Sequence, residues 1–313
     1  MNTNLNEQLD TWTREQLRRF GYVPNTSDPL IDFFIYRIRY PDDIPRVVYK
    51  SRELVQQTLS PDVQTALTTF EAVVRSGAPL RPYMTKSIEQ SDFFDGLLFD
   101  WGFYHFHMGI GSDKKDAKYI QRSEHLLIAR IHLDQMYFIK IVPHKNAEWY
   151  KDELVRIYAD NWPEVAEFGR MEFVDGLTEQ IDEKQRKILR DEIHVNSPVD
   201  LGDGRVYMGP NLGITGRGTP VIATMWAQRA QRNAALMQKF MEEKEKEIIE
   251  AIRWKVEGDD FEIQLLEASE NDYTFQVVEE PVILRLRLQG GNLQILVGDS
   301  REQIEMHLKG ESL

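Results

Sequence analysis

Leu5, Leu9, Trp12, Leu17 and Phe20 fall at helical spacing and predict an amphipathic helix over residues 4–20. Leu30 to Tyr40 is aromatic and β-branched and predicts a strand. Pro41-Asp42-Asp43 reads as a turn, and Arg46 to Tyr49 as a second strand. Ser51 suits the cap of a short helix through Thr58. Ser60-Pro61 starts a longer helix that runs to about Arg75, and Ser76-Gly77 ends it. Residues 85–97 read as a further helix leading into Asp100-Trp101-Gly102. Tyr104 to Met108 forms a short strand. Leu126–Leu133 and Met136–Val142 form a β-hairpin, and a helix from about Ala147 to Asn161 stops at Pro163.

The second half changes character. A charged helix over about 178–193 precedes a Gly-rich loop from Leu201 to Pro220. A long helix then runs from Val221 to Arg253, and the final 60 or so residues are strand-rich. The expected class is α+β: a central antiparallel sheet with N-terminal helices, a long helix and a small C-terminal β-module. Three segments follow: residues 1–165, 166–253 and 254–313. The long helix suits a homodimer contact or a spacer.

Composition narrows the classes. The 313 residues are 42% hydrophobic and 28% charged, which supports folded cores. With 0 cysteines, disulfides, thiolate metal sites and cysteine nucleophiles are excluded. No apolar run approaches the ~20 residues of a spanning helix, and the N-terminus has no secretory h-region. A cytoplasmic protein without a membrane partner is expected.

The net charge is −13. Residues 101–146 run against it, with seven Lys and Arg against four Asp and Glu, and five of the 7 histidines: His105, His107, His125, His132 and His144. This basic, titratable island in an acidic chain is the main chemical clue.

Strand alternation puts Trp101, Phe103, His105 and His107 on one face and Tyr104, Phe106 and Met108 on the other. In the hairpin, Arg130 and His132 separate from the apolar face of Leu127, Ala129 and Ile131. A connection spanning Leu133 to Gln135 aligns them with Phe138 and Lys140, whereas a two-residue turn reverses that parity. An arginine inside an apolar strand needs a partner or a task.

Histidines beside arginines suit cleavage of RNA by its own 2′-hydroxyl. Imidazole serves as base or acid near neutral pH, and guanidinium holds phosphate oxygens. The catalytic candidates are His105, His107, Arg122 and His144. Arg130 and Lys145 would clamp phosphate, and Trp101 or Tyr104 would stack a base. RNA is the expected substrate, with no cofactor. Two other classes stay open. One is a non-catalytic module binding a protein or a nucleotide through the same face. The other is a metalloprotein with His105, His107 and His144 as ligands, since His-x-His on a strand can present two of them. Met-Gly-Ile-Gly-Ser follows the pair where a cupin would carry glutamate. For His125 and His132 packing in or beside a strand is the favoured role, and the Gly-rich loop, with Thr215 and Arg217, matches no phosphate motif.

The Asp100-Trp101-Gly102 run, the Tyr104-His-Phe-His-Met-Gly109 run, Arg122, His144 and Asn161-Trp-Pro163 together resemble an uncharacterised bacterial family with a D-W-G, H-x-H-x-G and N-W-P core. The similarity spans roughly residues 45–165. It implies a setting beside toxin or defence genes, hence a protein partner such as an antitoxin, and no established activity. In composition and element order the region also resembles toxin nucleases of the barnase and RelE type.

Overall fold

A computed structural model describes residues 4–144, 151–193, 195–256, 258, 261–269, 272–278, 280–289 and 292–299. Helices α1 (Leu5–Arg19) and α2 (Pro29–Arg39) come first. Strand β1 (Val47–Lys50), α3 (Arg52–Gln56), α4 (Pro61–Ser76), α5 (Gly96–Trp101), β2 (Phe103–His107), β3 (His125–His132) and β4 (Gln135–Pro143) follow. Then come α6 (Asp152–Asn161), α7 (Pro163–Ala166), α8 (Glu183–Asp191), β5 (Val199–Asp200) and β6 (Val206–Tyr207). Helices α9 (Val221–Glu243) and α10 (Glu245–Ile252) lead into β7 (Ile263–Ala268), β8 (Asp272–Val277), β9 (Val282–Gln289) and β10 (Asn292–Asp299). The class is α+β. No helix among the described residues is long and apolar enough to cross a membrane.

The chain forms two compact units, in place of three consecutive segments. A terminal unit combines residues 1–34 with 225–313, and a central unit holds residues 35–224. In the terminal unit β7 to β10 form an antiparallel sheet in the order β10-β9-β8-β7. Leu5 and Leu9 of α1, Met237 and Met241 of α9, and Ile248 of α10 bury against Tyr273, Phe275 and Leu284. The apolar stripe of the long helix is thus occupied inside its own unit, and the helix breaks at Lys244.

In the central unit the sheet order is β1-β4-β3-β2. The β2–β3 and β3–β4 pairs are antiparallel, while β1 runs parallel to β4, with Val47 opposite Gln135. Both faces are covered, which explains why β3 and β4 read as nearly unbroken apolar runs. On one face Phe70 of α4 packs 4.8 Å from Phe106 and 5.7 Å from Phe138. On the other, Trp162 and Tyr158 lie 5.0 and 6.3 Å from Tyr137, and Phe103 lies 5.4 Å from Tyr158. Each ring so buried contributes roughly 2–3 kcal/mol relative to exposure.

Several local expectations are corrected. Leu30 to Tyr40 is helix α2, because capping outweighs β-propensity. Pro29 occupies the first turn, and the Asp28 carboxylate accepts from the Leu30 amide at 2.9 Å. Asp32, wholly buried, accepts from the amides of Asn25 and Thr26 and ties the preceding loop to the helix. Residues 85–97 hold only a 3₁₀ turn at Lys86–Glu89 and the start of α5. The charged helix over 178–193 shortens to α8, and the part of the helix expected from Ala147 to Tyr150 lies outside the described residues. The hairpin uses a two-residue turn, with Leu133 left-handed at φ 53°. Arg130 therefore pairs with Tyr137 instead of sharing a face with Phe138, and a bulge at Ile128/Ala129 shifts the register beyond it.

Candidate functional site

Strand β2 is an edge of the central sheet, and its last residues meet the chain as it enters β3 and leaves β4. His105 pairs with Ile128 and His107 with Leu126, so both side chains project on the Phe103 face. Just past the end of β4, the His144 amide donates to the Glu124 carbonyl at 2.8 Å. That bond brings the His144 ring within 5.4 Å of the His107 ring, centre to centre, at an interplanar angle of 25°.

His107 is 3% exposed, and its Nδ1 has no hydrogen-bond partner among the described residues. Burial is the main reason its pKa is pushed down to about 3. The neighbouring His105, Arg122 and His144 add to the effect, since each carries or can acquire positive charge. The His107 imidazole is therefore kept neutral by burial, with Arg122 and two further imidazoles beside it. Arg122 is exposed and has no ion-pair partner among the described residues.

His105 faces a carboxylate. Its Nδ1 lies 3.4 Å from Asp95 Oδ2, and Asp95 also caps α5 by accepting from the Leu98 amide at 3.1 Å. Sequence reasoning missed Asp95, ten residues before His105, because a lone aspartate ahead of Gly96 reads simply as a helix cap.

The other expected site residues lie elsewhere. Tyr104 is on the opposite face, with its ring 5.9 Å from Phe106 and its hydroxyl donating to the Ile38 carbonyl at 2.6 Å. Burial pushes that phenol up to about 12. Trp101 is 5% exposed in the core beside Phe103, so neither ring offers a free face to a base. Arg130 pairs with Phe103, four residues along β2 from His107, or about 13 Å at strand rise. Lys145 lies outside the described residues. His125 is half-buried, and His132 is exposed beside the hairpin turn. The sheet thus gathers His105, His107, His144 and Arg122 and separates them from Trp101, Tyr104 and Arg130.

Asp100, from the D-W-G run, has a structural partner. Its Oδ2 is 2.5 Å from Arg190 Nε, and both side chains are buried. Its carbonyl accepts from Asn211, and a Cβ on Gly209 would sit 2.3 Å from that same oxygen. Gly209 and Gly213 of the Gly-rich loop thus lie against the end of α5, where a side chain would meet Asp100. The loop's Thr215 and Thr219 hydroxyls bond in series with that of Thr224 in the first turn of α9. Among the described residues, no group of three or more histidine, aspartate or glutamate side chains is arranged to hold a metal ion.

No protein-family model, no curated protein and no solved structure matches this chain.

Proposed function

We propose that the His105–His107–His144 face, with Arg122, performs histidine acid–base chemistry on the phosphodiester of RNA. The observation that carries this reading is the His107–His144 stack at 5.4 Å with Arg122 within electrostatic reach. A phosphate drawn to Arg122 brings negative charge beside His107. It offsets the repulsion that keeps His107 from binding a proton and so restores its basicity. His107 then accepts the proton of the 2′-hydroxyl as the 2′-oxygen bonds to phosphorus. The bond from phosphorus to the 5′-oxygen breaks, and His144 delivers a proton to that oxygen. Arg122 spans the phosphate oxygens. Asp95 positions His105 beside the reacting group. On this reading the protein works in the cytoplasm as a nuclease of toxin or defence type, held in check by a protein partner.

The test is cleavage of single-stranded RNA in the presence of EDTA. The expected products end in a 2′,3′-cyclic phosphate, and a 2′-deoxy substitution at the scissile position blocks the cut. His144→Ala should lower the rate by about 10²-fold or more. Undiminished cleavage in that variant, or cleavage of the deoxy substrate, refutes the proposal. RNA binding with no cleavage by the wild-type protein would mark a binding module instead.

A further inference from the structure

The terminal unit encloses a space that the histidine site does not use. It measures about 310 Å³, and its whole lining comes from residues 1–34 and 225–313. The wall is largely aromatic. Trp12 of α1, Phe33 and Phe34 of α2 and Trp226 of α9 form a chain of ring contacts. The centroids lie 5.5 Å apart from Trp12 to Phe33, 5.5 Å from Phe33 to Phe34 and 5.8 Å from Phe34 to Trp226. Trp12 is fixed in place, because its Nε1 donates to the Leu266 carbonyl at 2.8 Å. On α9 the wall is only an alanine, Ala230, which leaves the space open.

One polar group is buried in this lining. Tyr273 of β8 is 1% exposed, and its hydroxyl makes no hydrogen bond with the described residues. Burial pushes the phenol up to about 12, so it stays a hydrogen-bond donor throughout the neutral range. Tyr207 of the central unit also lacks a hydroxyl partner, but the two tyrosines face different spaces. The cavity beside Tyr207 measures about 20 Å³, enough for one water. The one beside Tyr273 has room for a molecule. An apolar cavity of roughly 150 Å³ accepts benzene, so twice that volume accepts two fused rings.

We propose that this cavity binds a neutral bicyclic heteroaromatic molecule that accepts a hydrogen bond from Tyr273. Flat rings meet the aromatic wall in offset or edge-to-face contact. A wall already held by its own ring contacts and by the Trp12 bond needs little ordering when a ligand enters. Charge argues for a neutral ligand. Among the described residues the lining includes Arg229, which is exposed, and no carboxylate. A cation finds no partner there, and an exposed guanidinium, screened by solvent and salt, adds little for an anion.

The probes are quinoline, whose ring nitrogen accepts a hydrogen bond, and naphthalene, which has the same shape and no acceptor. Equilibrium dialysis of the full chain at pH 7.5 reads free ligand by absorbance in the protein-free chamber. The expected result is saturable binding of one quinoline per chain with Kd on the order of 0.1 mM. Ala230→Phe, which fills the cavity, should abolish it. Tyr273→Phe keeps the ring and removes the donor, and it should lower the quinoline-to-naphthalene affinity ratio about 2- to 10-fold. That second variant tests the site even where Ala230→Phe does not fold. No saturable binding by the wild-type protein overturns the proposal. Quinoline binding that persists in folded Ala230→Phe overturns it as binding elsewhere, and an unchanged ratio in Tyr273→Phe overturns the role of the hydroxyl.

Discussion

Acidification should destabilise this protein through His107 in particular. An imidazole ordinarily titrates near 6.5, but burial first, and then the neighbouring His105, Arg122 and His144, hold His107 down to about 3. Unfolding returns the ring to water and to its ordinary affinity for a proton. Between about 3 and 6.5 the unfolded chain therefore binds more protons at this position than the folded chain does. The contribution is fully present above 6.5 and is lost as pH falls through that window. At about 1.4 kcal/mol per pKa unit, lowering the pH from 7.5 to 5 costs about 2 kcal/mol, and the full window costs about 5 kcal/mol. Carboxylates titrate in part of the same range, so the control is His107→Gln, which cannot take the proton. Urea unfolding at half-unit pH steps gives both stability profiles, and their difference isolates His107. The Cε1 proton of His107, followed by NMR, should show a midpoint below pH 4. Parallel profiles, or a midpoint near 6.5, would refute the reasoning that joins burial to charge here.

Two further outcomes follow from the surroundings of the site. Gly102→Ala should cost about 2–4 kcal/mol, because it combines a left-handed alanine with a methyl group at the position of Arg130 Nη1; a melting temperature within a degree of wild type would show that the corner relaxes. Asp100→Ala should cost about 3–5 kcal/mol by leaving Arg190 buried without its carboxylate, and chemical denaturation measures it; Asp100→Ala together with Arg190→Leu should recover part of the loss, and a double variant weaker than the single one contradicts the assignment.

The legible parts of the sequence were those governed by local periodicity. The helical spacing of Leu5, Leu9 and Leu17 and the Ser60-Pro61 start both appear as helices. Alternation along β2 separated the histidines from Phe106, as the two opposite core clusters show. The charge island also had a spatial counterpart, because consecutive strands brought His107, Arg122 and His144 to one end of the sheet. What could not be read depended on distant partners or on unusual backbone. The α2 segment carries a strand former's side chains and a helix's capping residues, and only the Asp28 bond decides between them. A left-handed leucine in a two-residue turn is a poor hairpin signal, yet it sets which face Arg130 occupies. The parallel pairing of β1 with β4 joins residues almost ninety positions apart and leaves no local trace. The His105–Asp95 approach is of the same kind, a meeting produced by the fold of α5 onto β2.

The terminal unit draws on both ends of the chain, and this has a consequence during synthesis. Helix α1 leaves the ribosome before the rest of its unit, with Leu5, Leu9 and Leu17 on one apolar stripe. The strand it packs against, β7, begins only at Ile263. At about 5–20 residues per second, the roughly 240 residues between them take on the order of 10–50 s to make. Through that interval the central unit can form from contiguous chain, while the first helix waits with its core face uncovered. The newborn chain is thus most open to mispairing or to capture by a chaperone at α1.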